Sequence, residues 1–169
     1  MRRRSPVVVL ACLWLIAGWG CGPQPDLKSL KLVNALSGYY DDGPTPKGEN
    51  HLVPSVTFQL KNEGDLPFTY VDLMLAFWPV GADGEKDSKL IQSIGRTPLE
   101  PGATSESFTV RSAVGFTSLY PRAEFFTRPE FVGFIVKVFA RRSGKLTSLA
   151  EVAVDRRLLP AVHTDGRRP

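Results

Sequence analysis

The sequence predicts an all-β protein, built as a β-sandwich of about seven strands in two sheets over one apolar core. Apolar and polar residues alternate across 55–61, where Val56, Phe58 and Leu60 share one face, and this period of two is typical of a strand. Clusters of Gly, Pro, Asn and Asp separate this segment from further short apolar segments. With 43% hydrophobic and 22% charged residues, the composition is that of a globular domain.

The N-terminal part of the predicted sandwich contains two strands. Leu27 to Leu36 is interpreted as the first strand, although the spacing of its apolar residues fits a helix nearly as well. Residues 37–50 are rich in Gly, Pro and Asp, and this density of strand breakers predicts a loop. Pro54 then marks the beginning of the next strand, where its missing N–H is tolerated.

Turns of recognisable chemistry delimit the strands that follow. The predicted elements are a turn at Asn62 to Gly64, a strand at 69–78, a hairpin turn at Gly81 to Gly84, a strand at 89–94, a turn at 99–102 and a strand with Phe108 and Val110. This order resembles the small immunoglobulin-like domains of bacterial envelope lipoproteins, including the FxLyD type, over residues 54–111. The resemblance implies an immunoglobulin-like β-sandwich and says almost nothing about activity.

Residues 112–130 interrupt the strand pattern with aromatic and basic side chains. A connection of this length is unusual inside a compact domain, and such segments are often functional or form partial covers. One interpretation is that the aromatic residues close an open end of the sandwich. The other is a partner surface, because exposed aromatics beside arginine have the composition of interface hot spots. The candidate surface residues are Phe116, Tyr120, Arg122, Phe125 and Phe126.

The remaining chain predicts a closing hairpin and a tail. Residues 131–140 and 149–154 form its strands, joined by a turn around Gly144. The polar, basic end is expected to fray. The predicted organisation is therefore a signal peptide at 1–20, a tether at 21–26, a sandwich domain at 27–157 and a flexible tail at 158–169.

The first 21 residues have the layout of an export signal. Arg2 to Arg4 precede an apolar run from Pro6 to Trp19, which is shorter than the roughly 20 residues that span a bilayer, and Cys21 follows. The segment resembles the signal of bacterial lipoproteins, which implies a signal helix that is cleaved before Cys21 and lipidation of that cysteine. An uncleaved anchor and an ordinary cleaved signal are the alternatives, and Arg2 with Arg3 also suggests a twin-arginine signal.

The same resemblance implies where the domain resides. Gly22 stands where some lipoproteins carry an aspartate that retains them in the inner membrane, so the outer membrane is favoured, with the domain in the periplasm. Cys12 and Cys21 are the two cysteines, and cleavage before Cys21 leaves a single thiol and no internal disulfide. Acylation of Cys21 would cap that thiol and provide membrane affinity.

Removing the leader also changes the charge. The net charge of +4 includes three leader arginines, and 18 basic residues then remain against 17 acidic ones, which argues against nucleic acid as a partner. Three arginine doublets remain, at 141–142, 156–157 and 167–168. Such doublets are usually solvated, and the alternative is contact with lipid headgroups or another polyanion.

The inventory of reactive side chains predicts no enzyme, no cofactor and no metal site. The two histidines are His51 and His163, no nucleophile motif accompanies them, and a His/Cys zinc site lacks ligands. Asp83, Glu85 and Asp87 lack the spacing of a calcium loop. We expect a non-catalytic interaction or structural module, anchored to the membrane by lipid and bound to an envelope protein. A periplasmic solute- or lipid-binding accessory subunit of a transporter is the alternative, and a hydrolase using His51 is a third option.

Overall fold

The computed structural model describes residues 23–160, which form two antiparallel β-sheets around one core, as the all-β prediction requires. Within these residues there are eight strands, where the sequence predicts about seven. They are β1 (Leu30–Pro44), β2 (Asn50–Asn62), β3 (Val71–Pro79), β4 (Asp87–Ile94), β5 (Phe108–Arg111), β6 (Phe116–Ser118), β7 (Phe134–Arg142) and β8 (Lys145–Ala153). The predicted signal helix and Cys21 lie outside the described residues.

The first sheet is built on the long hairpin of β1 and β2. It has the order β1-β2-β5, and β6 pairs with β2 beyond the end of β5. The predicted loop at 37–50 is wrong, because β1 continues to Pro44 and pairs with β2 down to Asn50. The glycines in this segment fit within the strand. Gly38 leaves room for residues 157–159, which pass directly against it. Gly43 has a φ of 85° and lies within a register shift of the β1–β2 pair.

The second sheet has the order β4-β3-β7-β8, with every neighbouring pair antiparallel. β3 lies at its centre and contributes Leu73, Leu75 and Phe77 to the core, each fully buried. This is the face that the alternation in 69–78 predicts. β7 adds Val136 and Val138 to the same layer, so the two central strands supply the apolar face of this sheet.

The core between the sheets is filled by side chains. Its largest fully buried members come from both sheets and from the connections, and include Tyr39, Phe58, Phe68 and Phe77. Native cores are packed to the density of organic crystals, and this one has fully buried rings along its length. Between residues 23 and 160, no helix has the length and hydropathy that a membrane crossing requires.

The last described residues join the second sheet to the first. After β8, Arg157 accepts a hydrogen bond from the Tyr39 N–H at 2.8 Å, and the Leu159 N–H donates to Tyr39 at 2.8 Å. A Cβ at Gly38 would lie 2.9 Å from the Arg157 carbonyl, so glycine permits this crossing. The ordered domain therefore includes Leu158 and Leu159, which the sequence assigns to a flexible tail.

The two ends of the sandwich are built from different parts of the chain. At one end the chain enters at the 3-10 turn Leu27–Ser29, which contacts β8, and Leu30 pairs with Asn62. We call this the entry end; it also holds the β7–β8 turn. The opposite end carries the turn at 45–49, the β3–β4 connection and residues 112–133, and we call it the aromatic end.

Candidate functional site

Residues 112–133 lie at the aromatic end and are fixed there by polar contacts and one close approach. The Asp87 carboxylate accepts hydrogen bonds from the Ser112 hydroxyl at 2.9 Å and the Ala113 N–H at 2.6 Å. Burial opposes ionisation of Asp87, but the Ala113 N–H, the Ser112 hydroxyl and Lys89 together lower its pKa. Gly115 lies directly against the backbone of Leu52, where a Cβ would overlap the Leu52 carbonyl. Asp87, one of the three acids that lack the spacing of a calcium loop, therefore fixes residues 112 and 113 at this end.

Three of the five predicted surface residues face the core. Phe125 is 4% exposed, and Phe116 and Phe126 are half-buried against the core residues. Phe116 lies 4.6 Å from Phe131 between ring centroids, and Phe126 lies 5.3 Å from the same ring. These side chains close the end of the sandwich, as the first interpretation of the segment expects.

The rings form one group with a tyrosine of β1, and we call Tyr39, Phe116, Phe126, Phe131 and Phe134 the aromatic cluster. The Tyr39 ring lies 5.1 Å from Phe131 and 5.4 Å from Phe126. Such tilted and edge-on pairs are the favoured arrangements of aromatic rings. Tyr39 is fully buried, its hydroxyl has no hydrogen-bond partner among the described residues, and burial raises its pKa to about 12.

The other two predicted surface residues are exposed. Tyr120 is 48% exposed, and the Arg128 guanidinium carbon lies 3.5 Å from its ring centroid. The Arg122 Nε contacts the Asp41 carboxylate at 2.7 Å and so ties the 3-10 helix Arg122–Thr127 to β1. Arg128 also contacts Glu124, at 3.4 Å. Both arginines are therefore neutralised by acids of this same end.

Two depressions open on either side of Phe116. One, of about 180 Å³, is lined by Phe116, Tyr120, Phe125, Arg128 and Phe131 among others. The second, of about 380 Å³, lies between the β3–β4 connection and residues 114–116. Its wall includes aliphatic residues that are strongly exposed: Val80 at 56%, Val114 at 41% and Val132 at 41%. We call Val80, Val114, Val132 and Tyr120, with the adjoining Leu119, the apolar rim.

Sequence reasoning missed the aliphatic part of this rim. Leu119 is 77% exposed, and single valines and leucines in a breaker-rich segment carry no periodic signal that separates a buried position from an exposed one. The available signal was the occurrence of aliphatic residues directly beside prolines and glycines at strand ends, such as Val80 after Pro79 and Val114 before Gly115.

His51, the base of the hydrolase alternative, has an acidic neighbour. His51 Nδ1 lies 3.6 Å from the Asp42 carboxylate, and no hydroxyl among residues 23–160 hydrogen-bonds to the His51 ring. The nucleophile–base contact of a hydrolase is therefore not formed there. His163 lies outside the described residues. Within those residues, no group of three or more His, Cys, Asp or Glu side chains is placed to hold a metal ion.

Comparison with known proteins adds little to this geometry. No protein-family model matches the chain, and no curated protein matches it. Among eight similar solved chains is the "X-ray structure of Northeast Structural Genomics Consortium target SoR45", at 12% identity and a TM-score of 0.44. The similarity covers 85% of this chain and 98% of that one. A similarity at this level assigns neither a fold family nor a function.

Proposed function

We propose that this protein is a lipid-anchored component of a bacterial cell envelope, held by lipidated Cys21 and bound to another envelope protein through its apolar rim. The domain is a non-catalytic interaction module with an immunoglobulin-like sandwich in the periplasm, and the outer membrane is its favoured location. The lipoprotein-like leader and the two antiparallel sheets support this proposal.

The observation that carries the interaction role is the exposure of the rim. Val80, Leu119 and Tyr120 are each at least 48% exposed at one end of the domain, beside depressions lined by further apolar side chains. Exposed apolar patches that are bordered by polar residues often mark sites of contact with another protein. Tyrosine beside arginine, as in Tyr120 and Arg128, is the composition enriched at binding hot spots.

The filled core distinguishes this proposal from the solute-binding alternative. A binding module of that class needs a cavity of about 300–1,000 Å³ that encloses most of its ligand. The fully buried rings of Phe58, Phe68 and Phe77 occupy the space between the sheets. The depression of about 380 Å³ opens to solvent at the aromatic end, so it suits a protruding side chain of a partner rather than an enclosed solute.

The end of the domain at which the described chain begins also supports this role for the rim. The chain enters the domain beside Leu30, and β2 runs the length of the sandwich from Asn50 to Asn62. At ~3.3 Å per residue this strand is ~40 Å long. A lipid at Cys21 would therefore hold the aromatic end away from its own membrane and towards other envelope proteins.

The anchor is tested by Cys21→Ser in the full chain. We expect loss of lipid labelling and a shift from the membrane fraction to the soluble fraction, because cysteine is the acylated residue. Lipid labelling that persists in Cys21→Ser would disprove the anchor.

The rim is tested by a photo-crosslinking amino acid placed at Leu119 in cells, with the same probe at Glu151 on β8 as the control. We expect a discrete adduct from position 119 that is absent from position 151. Val132→Asp should abolish the adduct, since it places a charge on the apolar rim at an exposed position that tolerates it. Adducts of equal yield at both positions, or an adduct that Val132→Asp leaves unchanged, would contradict the interaction role.

A further inference from the structure

We infer that the entry end of the sandwich docks onto the membrane and that a pocket built around Arg142 binds the phosphate group of an anionic lipid headgroup. This inference rests on the proposed lipid anchor at Cys21. It adds a second membrane contact, with an orientation of the domain that the anchor alone does not impose.

The position of the pocket follows from where the chain enters. Four residues lie between Cys21 and Asp26, so five Cα-to-Cα steps join them, and Asp26 caps the 3-10 turn Leu27–Ser29 by accepting a hydrogen bond from the Lys28 N–H. A fully extended chain covers at most ~3.6 Å per residue, so this tether reaches no more than ~18 Å. The turn contacts β8, the strand that begins directly after Arg142 and the two-residue turn. A lipid at Cys21 thus keeps the β7–β8 turn close to the headgroups.

The pocket itself is polar and has a volume of about 250 Å³. It is lined by Tyr70, Asp72, Arg141, Arg142, Ser143 and Gly144. Its acid is already neutralised, since Arg141 Nη2 lies 3.0 Å from the Asp72 carboxylate. Arg142 is different: its Nη1 atom is buried and has no hydrogen-bond partner among the described residues. Arg142 also has no acid within ion-pair distance among residues 23–160, so the lining of the pocket carries one guanidinium group that no acid neutralises.

Phosphate is the acceptor that suits this arginine. The guanidinium group presents parallel N–H donors that match phosphate oxygens, and it remains charged at every physiological pH. Lys145 follows in the same turn and has no acid within ion-pair distance among residues 23–160. Tyr70 is 58% exposed and Leu146 is 47% exposed, so a ring and an aliphatic side chain accompany the two cations. Tyrosine with basic residues is typical of protein segments at the membrane–water interface.

Charge pairing distinguishes this end from the aromatic end. Arg122 and Arg128 contact acids at 2.7 and 3.4 Å, whereas Arg142 and Lys145 have no such contact within the described residues 23–160. The contact is confined to the β7–β8 turn, because the turns at 63–65 and 99–102 carry the acids Glu63, Asp65 and Glu100, which an anionic surface repels. We therefore assign the pocket to a lipid surface rather than to a protein partner.

The test uses the full-length lipidated chain in vesicles of phosphatidylcholine, with or without phosphatidylglycerol. A fluorescent amino acid replaces Tyr70 in one preparation and Leu119 in another, and lipids with a headgroup nitroxide act as quenchers. We expect quenching at position 70 that increases with phosphatidylglycerol, and none at position 119. Arg142→Gln should reduce the ratio of docked to undocked protein about fivefold, the contribution of one basic residue near an anionic surface.

Arg128→Gln is the matched control, because it removes the same charge from the opposite end. It should leave quenching at position 70 unchanged. Arg142→Lys keeps the charge without the planar group and should give an intermediate value, provided that its thermal unfolding matches that of the parent. Equal quenching in Arg142→Gln and the parent, or no quenching at position 70, overturns the docking.

Two further readouts separate the sources of failure. Retention of the protein in the vesicle fraction reports on the anchor alone, so retained protein without quenching disproves only the docking, and protein lost from the vesicles disproves the proposed anchor. Inorganic phosphate is the second probe. A rise in melting temperature with inorganic phosphate, lost in Arg142→Gln and unaccompanied by quenching, assigns the pocket to a soluble phosphate compound and overturns the lipid assignment.

Discussion

The two ends of the sandwich are closed by different interactions. At the aromatic end, packed rings of the aromatic cluster cover the core, and Tyr39 is buried without a hydrogen-bond partner for its hydroxyl among the described residues. At the entry end, the fully buried Asn62 donates from its amide to the carbonyls of Leu66 and Leu99, both at 2.9 Å, and accepts from the Gly64 N–H at 2.9 Å. The aromatic end is therefore held by the burial of apolar rings, and the entry end by the hydrogen bonds of the Asn62 side-chain amide.

The difference extends to the surfaces that each end presents. Closing an end with rings brings apolar side chains to the rim, and Val80 and Val114 remain exposed beside them. Closing an end with a polar side chain leaves turns of ordinary polar composition, in which Arg142 has no acid partner among residues 23–160. The same sandwich thus has an apolar surface at one end, where we propose a protein partner, and a cationic pocket at the other, where we propose a phosphate group.

The largest expected effect is on the aromatic end. Phe131→Ala removes a ring that is 6% exposed and lies within 5.3 Å of Tyr39, Phe116 and Phe126 between centroids. We expect the free energy of unfolding to fall by ~3–5 kcal/mol, because truncation of a buried phenylalanine leaves a cavity. Urea unfolding measures it. Val132→Ala, at the exposed next residue, is the control and should change stability by no more than ~0.5 kcal/mol.

The entry end is tested by comparing the same substitution at two asparagines. Asn62→Ala removes two donated hydrogen bonds and one accepted hydrogen bond of a fully buried amide and leaves the Leu66 carbonyl without this donor, so we expect a loss of ~3 kcal/mol. Asn50→Ala, at the aromatic end, removes an exposed hydrogen bond of 2.8 Å to the Tyr120 carbonyl and should cost ~1 kcal/mol. Both are measured by urea unfolding at neutral pH. Equal losses at the two positions would show that the amide of Asn62 does not hold the entry end.

The smallest effect depends on pH. Burial raises the pKa of Tyr39 from 10.0 to about 12, so the unfolded chain loses this proton first as the pH rises. Its contribution is complete below pH 10 and is lost progressively between pH 10 and 12, with a full value of no more than about 3 kcal/mol. Tyr39→Phe lacks this proton, and we expect its stability to fall less than that of the parent over the same interval. Parallel declines in the two proteins would contradict the burial of the Tyr39 hydroxyl in an apolar site.

Much of the fold is predictable because the signals are local. The alternation in 55–61 and 69–78 gives the correct strands and the correct inward faces of β2 and β3. The predicted loop at 37–50 is wrong because Gly38, Pro44 and Gly48 read as breakers, although a bulged strand and a tight turn accommodate them. Whether a glycine ends a strand or lets another segment pass close to it depends on which residues pack against it. The residue type alone does not reveal those tertiary contacts.

The candidate site divides in the same way. Residue type alone indicates that aromatics in 112–130 have a role, but it does not separate the buried Phe125 from the exposed Tyr120. Aliphatic exposure at Val80 and Val132 has no sequence periodicity and was not predicted. These positions become one surface because the β3–β4 connection and residues 112–133 meet at one end of the sandwich.

The sequence by itself determined the all-β class, the inward faces of the central strands and a charge that is nearly balanced outside the first 20 residues, because composition and period-two alternation are properties of short segments. Only the tertiary structure decided which cations have partners. Arg141 meets Asp72 across 69 residues of chain, and Arg122 meets Asp41 across the first sheet, whereas Arg142 meets no acid among residues 23–160. Such pairings depend on the register of strands that are distant in sequence, and register is fixed by packing of the whole sandwich.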